Sequence, residues 1–145
     1  MTFDPRQDVI ESCNINDITF TDDNNNTVSI NLTYEDNNDM DEVPQPLFVI
    51  RQVRPVKRPT SVGWNTYQRT VEFDVSFYML DSDNVTVRED KKEVLDAFET
   101  KIENNQSSVT AADNVKIISV RPQSDYDQKQ NIFGWTATLE AIDKD

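Results

Sequence analysis

The sequence predicts an α+β fold: a mainly antiparallel sheet with one long amphipathic helix packed on it, plus an N-terminal short helix and β-hairpin. Three observations carry this. Val71, Phe73, Val75, Phe77 and Met79 alternate with Glu72, Asp74 and Ser76, the two-residue period of a strand with one buried side. Leu95, Phe98 and Ile102, with Val94 beside them, recur at helical spacing within 87–104, and charges cover the other face. The segments run as hairpin, strand, long loop, strand, helix, strand, strand, which stacks one helical layer on one sheet. At 145 residues, one domain spanning 1–145 is expected, able to bury about two-thirds of its unfolded surface.

In chain order, "FDPRQDVIESC" suits a short helix. Asp4 can cap it, Pro5 fits the first helical position, and Val9, Ile10 and Cys13 form a narrow apolar face. "DITFTDDNNN" and "TVSINLTYE" pair as a hairpin through a polar turn at Asp22–Asn26. In the second strand Val28, Ile30, Leu32 and Tyr34 share one face, and Ser29, Asn31 and Thr33 the other. The acidic connection "EDNNDMDEVPQP" ends at Pro44 and Pro46, which stop any helix and let a strand begin near Leu47. Thr86 and Glu89 stand three apart as a capping box for the long helix. In "NVKIISVRP", Val115, Ile117 and Val120 are expected inward, with Pro122 ending the strand. "FGWTATLEAID" alternates Trp135, Ala137, Leu139 and Ala141. Two glycines, Gly63 and Gly134, allow few tight positive-φ turns, so longer polar loops are expected.

Composition narrows the function. The opening "MTFDPRQDV" has no basic n-region or apolar run, so no signal peptide is expected, and no stretch is apolar enough to span a membrane. Cys13 alone can form neither an internal disulfide nor a cysteine-built zinc site, and its apolar neighbours make it a core residue. No histidine is present, which removes the commonest general base and transition-metal ligand. Neither glycine forms part of a phosphate-binding loop. The acids of "DMDE" and "DSDN" read as solvated surface, and "DDNNNT" lacks the glycine and terminal glutamate of a calcium loop. The Asn-x-Ser/Thr triplets at Asn25, Asn31, Asn84 and Asn105 read as coincidence in an Asn-rich chain. The expectation is a protein that is not an enzyme, with no cofactor and no metal site.

The net charge is −13, with 18 Asp to 9 Glu and only 7 Lys. Such a surface repels itself unless salt screens it, and at molar salt the Debye length falls to about 3 Å. An Asp-rich, Lys-poor chain therefore suits a salty cytoplasm and a halophilic source.

Against this background, residues 43–71 contain no acid yet hold Arg51, Arg54, Lys57, Arg58 and Arg69. Pro55 and Pro59 favour an extended, semi-stiff arm, and Trp64 and Tyr67 add aromatic anchors. Arginine with aromatics is the composition of an interface hot spot, so these seven residues form the candidate partner interface over the basic loop or arm 51–69. Five cations on so acidic a chain make a weak DNA binder, since molar salt removes most counterion release. Residues 1–42 hold 11 acids and only Arg6, so an acidic surface on another copy is the better match. A positive arm and a negative end can join head to tail, and such pairing closes into rings.

An acidic loop, "VPQPLFVIRQV", an excursion, "YQRTVEFDVSFYML", "VREDKKEVLDAFETKIENN" and a closing "WTATLEAID" together resemble the tail terminator (tail completion) proteins of long-tailed viruses. The likeness covers the order of elements over residues 40 to 143, while the hairpin up to Tyr34 departs from the more helical start of that family. The resemblance implies a structural virion protein: a ring, typically a homo-hexamer, that terminates the tail tube and joins it to the neck. Its partners would be the tail tube protein and the neck or connector protein, with assembly in the host cytoplasm. DNA would pass through an acidic channel without specific binding. Joined to the salt-adapted composition, the likeness points to a tailed virus of a halophilic archaeon. A different head–tail connector or a tail tube subunit is the neighbouring reading. From other classes come an acidic DNA-mimic inhibitor, which would have no use for the arginine arm, and a carboxylate hydrolase, which would need acids converging in a pocket.

Overall fold

The alternating segment is the spine of a six-stranded sheet. The computed structural model describes residues 4–36, 46–59, 67–80, 87–110, 112–127 and 132–143. Strand β6 (Tyr67–Leu80) runs antiparallel to β8 (Ile132–Asp143), from Thr70↔Ile142 to Leu80↔Ile132. Beyond β8 lies β7 (Ala112–Asp127), also antiparallel. The other edge of β6 takes β4 (Leu47–Ile50) and, farther along, β5 (Arg54–Pro59). Strand β3 (Asn31–Tyr34) closes the order β3-β4-β6-β8-β7 and is parallel to β4. Two α-helices, α1 (Arg6–Ser12) and α2 (Val87–Asn105), complete the α+β fold expected from the sequence. Neither is long and apolar enough to cross a membrane.

The predicted hairpin forms, but its second strand is cut short. Strands β1 (Thr19–Thr21) and β2 (Thr27–Ser29) pair as a separate two-stranded sheet. At Ile30 the chain leaves β1, and residues 31–34 join β4 instead. Ile30 and Thr33 are therefore buried, while Val28, Leu32 and Tyr34 are half-buried. Two different partners set the register, yet Val28, Leu32 and Tyr34 pack against the core that Ile30 joins, as the alternation predicts.

Other expectations need similar correction. Val94, Phe98 and Ile102 form the buried line of α2, each four residues apart, and Leu95 sits half-buried on its shoulder. Pro122 does not end β7, which runs on to Asp127, because an outer strand tolerates a missing N–H. Val120 is exposed, not inward. Positive φ does occur, at Asn14 and Asn25 between elements and at Asn114 within β7 where its register shifts, since a short polar side chain tolerates the left-handed region. Asp22 fixes the turn around Asn25 by accepting from the amides of Asn24 and Asn26, both at 2.9 Å. Thr86 and the acids of "DMDE" and "DSDN" lie outside the described residues.

Helix-facing residues of the sheet build the core. Val71, Phe73, Val75, Phe77 and Met79 are all buried, as are Val9, Ile10 and Cys13 of α1. Burial pushes the Cys13 thiol up to about 11, with the charge of Asp8 adding to it. Phe48, Phe77, Phe98 and Trp135 form an aromatic cluster with ring centroids 5.3 to 6.3 Å apart. Trp135 Nε1 donates to the Lys91 carbonyl at 3.2 Å, fastening β8 to α2. Next to it, Gly134 lies so near β6 that a Cβ would sit 1.7 Å from the Phe77 carbonyl oxygen.

Candidate functional site

The basic segment is a strand before it is an arm. β5 pairs with the first half of β6, with Arg54↔Glu72, Pro55↔Val71, Val56↔Thr70, Lys57↔Arg69, Arg58↔Gln68 and Pro59↔Tyr67 in register. Pro55 and Pro59 are four apart, so both backbone nitrogens point the same way along the strand. Proline cannot donate into the ladder, which fits their lying on the outer edge, where they leave few donors for another strand. Pairing with β8 stops at Thr70, so the last three β5–β6 pairs overhang the sheet. Those pairs carry Lys57, Arg58, Arg69 and Tyr67. Lys57 and Arg69 are direct cross-strand partners in this register. Trp64 lies outside the described residues.

The two cations nearest the core are engaged within the chain. Arg51 Nη2 donates to the Tyr78 hydroxyl at 2.6 Å, and its guanidinium stands 5.9 Å from that ring's centroid. Its Nε reaches Ser76 Oγ at 3.4 Å, and its amide donates to the Asp74 carbonyl at 2.8 Å. Arg51, assigned from the sequence to the partner interface, thus has its side chain engaged within the sheet. Arg54, half exposed, lies 3.1 Å from Asp74 and 3.7 Å from Glu72.

Arg6 anchors this end of the molecule, a role the sequence did not signal. It is buried, with Nε and Nη2 donating to Asp4 at 2.9 and 2.8 Å, and Nη2 to Asp36 at 2.9 Å. Nη1 reaches the Arg51 carbonyl at 3.1 Å, and the guanidinium lies over the Tyr34 ring. Hydrogen bonds from Arg6 hold the Asp4 and Asp36 carboxyls below the usual range. Asp4 also accepts from the Arg6 amide at 3.1 Å, but the N-cap of α1 is Pro5, with no side-chain cap bond, one residue later than the sequence suggested.

A second set of charges lies on the sheet face away from the helices. Arg54, Glu72, Glu140 and Lys116 follow one another across β5, β6, β8 and β7. Arg54 and Lys116 flank the two acids, with Lys116 Nζ 3.8 Å from Glu140. In the next row Asp74 accepts from Thr138 Oγ1 at 2.7 Å and lies 3.6 Å from Arg121. Burial alone would raise the Asp74 pKa, but Thr138, Arg54 and the charge of Arg121 outweigh it and hold it low. The acids of this face have cations beside them, with Arg54 near Glu72 and Asp74 and Lys116 near Glu140. Only the sheet register reveals the row, because its members are scattered between residues 54 and 140.

Among the described residues no group of three or more His, Cys, Asp or Glu is arranged to hold a metal ion. No family model matches the chain. No curated protein matches it either.

Proposed function

We propose that this chain is a structural subunit that joins further copies head to tail, forming the ring at the head–tail junction that the resemblance to tail terminators implies. The observation that carries the reading is the overhanging β5–β6 hairpin, a basic projection on a chain of net charge −13. Its last three pairs bring Lys57, Arg58 and Arg69 together in a stretch of sequence that holds no acid. Such a charge makes sense where an acidic neighbour covers it. In this reading the ring terminates the tail tube, docks on the neck, and leaves an acidic channel through which DNA slides.

Size-exclusion chromatography with light scattering, from low to molar salt, tests it. The expected result is a closed multiple of the 16.8 kDa monomer, seen by negative-stain microscopy as a ring with an open centre. A monomer or dimer at every salt concentration would overturn the ring and favour the acidic DNA-mimic reading instead.

A further inference from the structure

A head-to-tail ring needs a receiving surface as well as an arm, and one lies on the opposite edge of the sheet. Between the C-terminal half of α2 and β7 runs an open groove of about 280 Å³. Half-buried Ile117 opens into it above the buried Ile102 and Val115, and Glu99 and Glu103 stand on its helical rim. Ile118 and Val120 continue the apolar surface along β7 and are 41% and 36% exposed, the large hydrophobic side chains left open to solvent among the described residues. Strand β7 pairs with β8 alone among the described strands, so this edge is open.

The rim carries its own electrostatic conflict. Glu99 and Glu103 are one helical turn apart, a like-charge spacing that weakens a helix. Glu103 also stands near the C-terminal end of α2, where the helix dipole disfavours an acid, and the last turn holds no basic residue. Lys116 lines the same groove, but it is turned towards Glu140. The hairpin concentrates the opposite sign, with Lys57 and Arg69 in register across its two strands, so the two surfaces are complementary in charge.

Geometry excludes the same molecule as the source of the arm. β5 and β7 lie on opposite sides of β6 and β8, three strand spacings or roughly 14 Å apart across the sheet. An arm on one edge and a groove on the other is the arrangement a heterologous side-by-side contact requires.

We infer that the groove between α2 and β7 receives the basic β5–β6 hairpin of a second copy of this chain, with Glu99 and Glu103 facing its cations and the β7 apolar surface covered. This rests on the ring reading above.

The test uses two full-length double variants at the salt concentration where the wild type is assembled. E99K/E103K reverses the rim, and K57E/R69E reverses the arm. Each alone should self-associate roughly tenfold or more weakly, because arm and groove then carry the same sign. Mixed in equal amounts they should assemble again, since each arm meets a groove of opposite sign, and the mixed particle should contain both chains equally. This rescue also proves both variants folded. Wild-type assembly by either variant alone, or no recovery on mixing two variants whose circular dichroism is native, would overturn this contact and leave the ring standing. A wild type that never assembles would overturn both.

Discussion

Arg6 donates to the main-chain carbonyl of Arg51 across 45 residues of sequence, and so ties the first turn of α1 to the point where β4 gives way to β5. The same guanidinium holds Asp4 and Asp36. Its partners are half exposed, which lowers the worth of each ion pair, but the arginine itself is buried. Arg6→Ala should cost about 1–3 kcal/mol in urea unfolding, mostly from the Arg51 carbonyl and the lost packing on Tyr34. Arg6→Lys should recover little of it, since an ammonium cannot reproduce the fork. A loss below a few tenths of a kcal/mol for Arg6→Ala would show that α1 is held by its apolar face alone.

Phe98 and Gly134 test the core from opposite directions. Phe98 is fully buried against Phe48 and Trp135, so Phe98→Ala should cost about 3–5 kcal/mol. Gly134→Ala adds one carbon where the Phe77 carbonyl already stands, and backbone cannot step aside as a flexible side chain can. About 3 kcal/mol is expected, at the upper end of overpacking costs. Thermal and urea unfolding of both variants would check this, and a stability loss under 1 kcal/mol in either would refute the packing described for it.

What the sequence disclosed and what it hid follow from the range of the interactions. The alternation of Val71 to Met79 and the helical repeat of Val94, Phe98 and Ile102 are local, and they appear where the pattern places them. Pro55 and Pro59 kept their segment extended, as expected. The break at Ile30 was hidden because it depends on β4 competing with β1 for the same strand, and residue spacing does not record that choice. Arg6 counted in the sequence as a lone cation among acids, since Asp36 and Arg51 approach it only after folding. In the candidate interface, Arg51 and Lys57 look alike in sequence. Only the position of Tyr78 and Ser76 beside Arg51 separates a cation used by the fold from those on the overhang.

Acid should weaken the polar face in a direction that Asp74 fixes. Its folded pKa lies below the unfolded value near 3.8, so its contribution is complete above that value and is lost as pH falls through the folded pKa. Asp74→Asn should therefore lower the urea midpoint clearly near pH 7, and the gap from wild type should narrow as pH drops below about 3.8. An equal gap at both ends of that range would mean that the ionised form of Asp74 adds nothing.

Salt should act the other way from its effect on an ordinary ion-pair network. The chain carries 13 uncompensated negative charges, whose repulsion is screened as the Debye length falls from about 10 Å at 0.1 M to 3 Å at 1 M. The exposed pairs of Arg54 and Arg121 lose little by the same screening, because such pairs are worth at most about 1 kcal/mol. The melting temperature should rise steadily from low to molar salt. A flat or falling curve would argue against adaptation to a salty interior.

Anchoring of the arm should depend on Trp64 more than on any one of its cations. Each exposed ion pair contributes under about 1 kcal/mol, enough to steer encounter and fix register but not to hold a ring together. Arg54 is already bound to Glu72 and Asp74, so the cations proposed to meet a neighbour are Lys57, Arg58 and Arg69. Burial of an indole is worth more than any of these, and an aromatic at the end of a basic hairpin is the residue type that dominates interface energies. Trp64→Ala should thus reduce the assembled fraction, measured by light scattering, more than Arg54→Ala, Lys57→Ala, Arg58→Ala or Arg69→Ala. Its unfolding midpoint should stay at the wild-type value, because the work proposed for Trp64 is assembly. If Trp64→Ala assembles as well as the wild type with its fold intact, the hairpin end is solvated surface and its cations have no partner to find.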